Sequence, residues 1–111
     1  MVLPLNLLPF TRCSGRRRGM GQKDRDLYGY VSDRLAQAEA GRPDALYDLG
    51  LLYSTGQGVE QDFVQAHKWF NLAAIRGVSR ATVDRAELAR DMNHVDIAEA
   101  QRQAREWLSA H

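Results

Sequence analysis

The sequence predicts an all-α protein: a short α-solenoid of helix-turn-helix repeats, about five helices wound as a right-handed superhelix. Three observations carry this expectation. Ala38/Ala74, Gly41/Gly77, Ala45/Ala81 and Leu52/Leu88 all lie 36 positions apart, a period that belongs to stacked helix pairs. Asp62/Asp96 and Ala66/Ala100 lie 34 apart, so the second copy has a connecting loop two residues shorter. Apolar residues recur at helical spacing between glycine-containing turns, with no β-rich or Pro-rich block.

The elements follow in order. Leu27, Tyr30 or Val31, Arg34 or Leu35, and Ala38 mark a first helix near 25–40. It lies where the second helix of a preceding repeat belongs. Ala45, Leu49, Leu52 and Tyr53 follow the i, i+4, i+7, i+8 pattern of an amphipathic helix, near 43–55. Gly56 and Gly58 stop it, because glycine enters the left-handed region at little cost. Asp62 with Gln65 three residues on reads as a capping box for a helix near 62–76. In that helix Phe63, Ala66, Phe70 and Ala73 share one stripe, and Trp69 lies on the same side. The small Ala73, Ala74 and Gly77 allow a neighbouring helix to come close. A fourth helix is expected near 79–93. Asp96 with Glu99 repeats the capping arrangement before a fifth, near 96–110, whose stripe is Ile97, Ala100, Ala104, Trp107 and Leu108.

From Ala45 to Gly77 the chain reads Ala-x-x-x-Leu-Gly-x-x-Tyr, then Gly-Gln-Gly-Val, then Asp62-x-x-x-Ala66-x-x-Trp69-Phe70-x-x-Ala73-Ala74-x-x-Gly77. This resembles the Sel-one-like repeat family, relatives of the tetratricopeptide repeats. The stretch from Met92 to Trp107 looks like the degenerate final repeat of bacterial members. The resemblance spans about residues 36–110. It implies an α-solenoid that binds proteins, and no catalytic residues. The expected organisation is a disordered tail, or a stretch upstream of the start used in the cell, over 1–19. A half-repeat helix follows over 20–41, then a full repeat over 42–78 and a degenerate C-terminal capping repeat over 79–111. Gln101, Arg102, Arg105 and Glu106 give that last unit a polar outer face, as a solenoid cap requires.

The 111 residues suffice for one small domain with a modest core. Residues 1–19 hold Arg12, Arg16, Arg17 and Arg18 and no acid, whereas residues 20–111 carry a net charge of −3. The short apolar run precedes these arginines instead of following them, and no small-x-small cleavage site follows, so a signal peptide is not expected. Nothing approaches the length of a membrane span. One Arg triplet without interleaved aromatics is a weak nucleic-acid signal, and no nucleic acid is expected. Cys13 is the sole cysteine, which excludes an intrachain disulfide and suits a reducing, cytoplasmic setting over a periplasmic or secreted one.

His67, His94 and His111 have no metal-ligand spacing with one another or with Cys13, so neither metal nor cofactor is expected. His67 reads as a partly exposed helical histidine. No serine sits in a Gly-x-Ser-x-Gly context. Gly56-Gln57-Gly58 lacks the lysine and preceding strand of a phosphate loop. Trp69, Phe70 and Trp107 fall on packing stripes and read as core anchors. The sequence therefore points away from an enzyme and from a small-molecule substrate.

What remains is a surface. In tetratricopeptide-like solenoids the first helix of each unit lines the concave face. Positions outside the packing stripe of the helix at 43–55 include Tyr47, Asp48 and Leu51. The 36-residue shift carries them to Val83, Asp84 and Glu87, with Asp91 one turn on. Tyr47, Asp48, Leu51, Asp84, Glu87 and Asp91 are the candidate partner-binding residues. Apolar and acidic groups together suit a basic or amphipathic peptide. The expected function is a bacterial adaptor for a protein or peptide partner. A structural subunit, or a remnant of a longer repeat protein, is the alternative, and a hydrolase is the weaker third reading.

Overall fold

The computed structural model describes residues 17–111, with side-chain surroundings from Leu27 onward. Over this range the chain folds into five helices: α1 (Arg17–Glu39), α2 (Pro43–Thr55), α3 (Phe63–Ile75), α4 (Ser79–Ala89) and α5 (His94–Ala110). No strand occurs among the described residues. The expected tail falls largely on residues 1–16, which lie outside the described residues, while Arg17–Gly19 open α1.

The ends of the helices explain the repeat. At the end of α1, Gly41 N–H donates to Ala38 O and Arg42 N–H to Gln37 O; at the end of α3, Gly77 N–H donates to Ala74 O and Val78 N–H to Ala73 O. These are the two bonds of a Schellman cap, and both glycines take positive φ, +87° and +101°. The 36-residue match of Gly41 and Gly77 is thus one backbone device used twice. Pro43 at the start of α2 supplies a pre-set φ where no intrahelical N–H bond is needed, and Asp44 faces the positive end of the helix dipole. Asp62 caps α3, its Oδ1 accepting from Gln65 N–H at 3.2 Å. Only half of the expected capping box forms, because the Gln65 amide turns away to donate to Gln103 Oε1 on α5 at 2.9 Å.

Three boundaries differ from expectation. α1 begins at Arg17, eight residues before the expected start near 25. α4 ends at Ala89, and α5 starts two residues early, at His94. The cap of α5 is Asn93, whose Oδ1 accepts from Asp96 N–H at 2.8 Å. Asp96 therefore stands inside the first turn, where its charge still favours the helix N-terminus.

α3 is the centre of the molecule. α1 packs on α2, α2 on α3, and α3 on both α4 and α5. The core takes Val31 and Ala38 from α1, Ala45, Leu46, Leu49 and Leu52 from α2, and Ala66, Trp69, Phe70, Leu72 and Ala73 from α3. Ala81 of α4 and Ala104 and Trp107 of α5 complete it. Phe70, Leu46, Leu49 and Leu72 are fully enclosed, each worth about 1.5–3 kcal/mol relative to exposure. Of the alternatives on α1, Val31 is buried while Tyr30 and Leu35 face outward. Trp69 and Trp107 meet edge-on at 6.3 Å between ring centres, joining α3 to α5.

Two glycines let the backbone come close. A Cβ on Gly50 would overlap the Phe70 ring, so α2 and α3 touch through a position that admits no side chain. A Cβ on Gly58 would stand 2.8 Å from Val31 Cγ2 and 2.9 Å from Leu27 Cγ, and its φ is +76°. The Gly56–Gly58 turn is therefore packed onto α1.

His67 is buried, at 3 % exposure, and not partly exposed as its neighbours in sequence suggest. It follows Ala66 around α3 toward α4, and its Nδ1 has no hydrogen-bond partner. Burial, reinforced by the nearby Arg85 charge, holds the imidazole below its ordinary pKa.

Candidate partner-binding groove

α2 and α4 each lean on α3 rather than on one another. A groove opens between them, and Phe70 of α3 forms part of its floor. Tyr47, Leu51 and Ser54 line it from α2, at i, i+4 and i+7. Arg80, Asp84, Glu87, Leu88 and Asp91 line it from the α4 side. Each set repeats near 3.6 residues, so each occupies one helix face. The groove has a volume of about 330 Å³.

One end of the groove is closed by a bond across it. Tyr47 O–H donates to Asp84 Oδ2 at 2.5 Å, and Arg80 Nε stands 3.9 Å from the same oxygen. The Tyr47 ring lies 5.7 Å from that of Phe70 and tilts by 44°. Tyr47 is therefore half-buried against the core while its hydroxyl reaches the groove. Burial and the Asp84 carboxylate push that hydroxyl above its ordinary pKa. Asp84 is correspondingly committed to Tyr47 and Arg80. Glu87 and Asp91, farther along, form no ion pair among the described residues and leave that end acidic.

The structure brings Tyr47, Leu51, Asp84, Glu87 and Asp91 to this one groove. Asp48 does not join them. One position round the helix from Tyr47, it faces α1 and accepts from Arg34 Nη1 at 3.2 Å. The Arg34 guanidinium also meets Asp33 at 3.2 Å, and these carboxylates raise its pKa. Leu51 is 39 % exposed. It forms a ridge, because a second hollow of about 360 Å³ between α1 and α2 is lined by Tyr30, Asp48, Leu51, Leu52, Thr55 and Gln57.

The sequence pattern missed Arg80, Ser54, Leu88 and the floor role of Phe70. Phe70 reads as a core anchor and is one, and Leu88, the repeat partner of Leu52, packs partly buried against the core. Arg80 carries no signal beyond its i, i+4 relation to Asp84. Among the described residues no group of three His, Cys, Asp or Glu side chains could hold a metal ion. Nor is any helix there long and apolar enough to cross a membrane.

The family model of the Sel1 repeat matches residues 43–78, which are α2, α3 and their flanking turns. The match covers 36 of the 111 residues. Sel1 repeats are generally protein-interaction modules. A search of curated proteins gives no match to this chain. In Sel1 terms, α2 and α3 are the helix pair of the matched repeat. Gly50, Gly56, Gly58 and Gly77 are the glycines of the matched stretch, and α4 and α5 both pack on α3.

Proposed function

We propose that this chain is a peptide-binding adaptor whose site is the α2/α4 groove. The observation that carries this reading is the convergence of an apolar floor and an acidic rim. Tyr47, Leu51 and Leu88 supply carbon surface, and Glu87 and Asp91 supply negative charge at one end. An amphipathic segment with apolar anchors and Arg or Lys beside them matches both, the helix-in-groove or extended mode of peptide recognition. Binding is the role this reading gives these groups, which line an open surface.

The test is a titration of the chain with a fluorescein-labelled synthetic peptide carrying Leu at i, i+4 and i+7 and Arg between them. A second peptide has Glu in place of each Arg. The basic peptide should bind and weaken as salt rises, because exposed charges are screened over about 10 Å at 0.1 M. Leu51→Ser should weaken binding about tenfold or more, the equivalent of roughly 1.4 kcal/mol, with the Tm nearly unchanged. Equal binding of both peptides, or of the variant, would move the site to another face.

A further inference from the structure

We propose that Lys68 is an acylation site, its ε-amine taking the acyl group of small acyl thioesters. Lys and Arg together number 15, and the lysines are Lys23 and Lys68 alone. A guanidinium keeps its charge and does not serve as a nucleophile at neutral pH. Lys68 is thus the only side-chain amine among the residues whose side-chain surroundings are described.

Its setting differs from that of a surface lysine. Lys68 is half-buried on α3, and its Nζ stands 4.4 Å from the centre of the Trp69 ring. It opens into a hollow of about 430 Å³ where α3, α5 and the end of α1 meet, lined also by Glu39, Arg102, Glu106, Trp107 and His111. The other charged groups there are already engaged. Glu39 Oε1 accepts from Trp107 Nε1–H at 3.2 Å and meets His111 Nε2 at 2.9 Å. Arg102 bridges Glu99 and Glu106. Lys68 forms no ion pair or hydrogen bond among the described residues. Burial holds its pKa below the ordinary lysine value, and attraction from Glu39 and Glu106 offsets this only in part. The Trp69 face favours the cation but accepts no proton, so loss of the proton breaks no hydrogen bond.

The neutral Nζ attacks the thioester carbonyl carbon. The N–C bond forms, the C–S bond breaks, and the thiolate leaves with its electron pair. The surplus Nζ proton passes to water. The amide product carries no charge and asks for no ion-pair partner, and the hollow has room for an acetyl group.

The test is a competition in one tube between the full chain and a synthetic peptide of residues 64–72. Both are treated with a limiting amount of the acetyl thioester of N-acetylcysteamine over about pH 6 to pH 9. Mass spectrometry reads acetylation of Lys68 in each. Only the neutral amine reacts, so at neutral pH the folded lysine should acetylate about threefold faster or more, and its rate should level off at a lower pH than the peptide's. Glu106→Gln removes a carboxylate that favours the cation and should speed the folded lysine further. Lys68→Arg should abolish the modification with the helical circular dichroism unchanged. A folded lysine that reacts more slowly than the peptide would mean that the hollow shields it, and one that follows the peptide's pH curve would be an ordinary lysine. Either result would overturn the proposal.

Discussion

Gly50 and Phe70 make the tightest exchange in the molecule, since one has no side chain so that the other can lie flat against α2. Gly→Ala inside a helix ordinarily gains about 1 kcal/mol. Here Gly50→Ala should instead cost about 1–3 kcal/mol, the range for forcing atoms into a filled core. Combining it with Phe70→Leu should recover part of that loss, because the two changes share one contact. Urea denaturation of the two single variants and the double variant would show this; a stabilised Gly50→Ala would mean the helices part easily. His67 makes a separate, pH-dependent statement. Its folded-state pKa is depressed by burial and by Arg85, so the unfolded chain binds the proton more readily. The stability this neutral histidine supports is complete above the unfolded value of about 6.5 and is lost as pH falls below it. The Tm should fall between pH 7 and pH 5, and His67→Leu should flatten that slope. Equal slopes in both proteins would place the titration elsewhere. The sequence could not show this burial, because His67 sits between a core alanine and a lysine, and its burial arises only when other helices pack around α3.

At the scale of the helices, the sequence told most where a backbone device repeats and least where two devices compete. The Schellman glycines and the Asp62 cap were legible because few residue types serve there. The end of α4 was not, since Ala89, Arg90, Asp91 and Met92 all tolerate a helix and no glycine or proline marks the stop. Asn93 and Asp96 both cap well, and choosing between them required the chain path. Asn93→Ala should cost about 1 kcal/mol of stability, the usual loss for a cap. Asp96→Ala should cost only about 0.3–1 kcal/mol through the helix dipole. Denaturant midpoints of the two variants decide the matter, and a larger loss from Asp96→Ala would return the cap to that residue. On α2 the packing stripe was correct in Ala45, Leu49 and Leu52 but omitted Leu46 and Gly50. A helix touched on two sides buries a wider face than a period alone reveals.

Across the whole molecule, the stacking of five helices makes the groove and also closes the far side. Trp107 Nε1–H donates to Glu39 Oε1 at 3.2 Å, tying α5 to the end of α1. His111 stacks on Trp107 at 3.9 Å between ring centres. The surface shared by α2 and α4 is held by α3, on which both helices pack. The repeat period made that surface legible in outline, since a 36-residue shift maps one first helix onto the next. It could not show that Tyr47 reaches Asp84, because that bond runs between repeats. Nor could it show that Asp48 turns to Arg34, which lies on a helix outside the full repeat. The claim on which the account depends is that this inter-repeat groove receives a basic amphipathic segment. The most direct measurement is amide chemical-shift mapping of the isotope-labelled chain as the Leu/Arg peptide is added. The account predicts shifts concentrated at Tyr47, Leu51, Ser54, Asp84, Glu87 and Asp91, with Val95 and Ile75 unmoved. Shifts centred on the α1/α2 hollow or on α5, with the groove amides still, would contradict it.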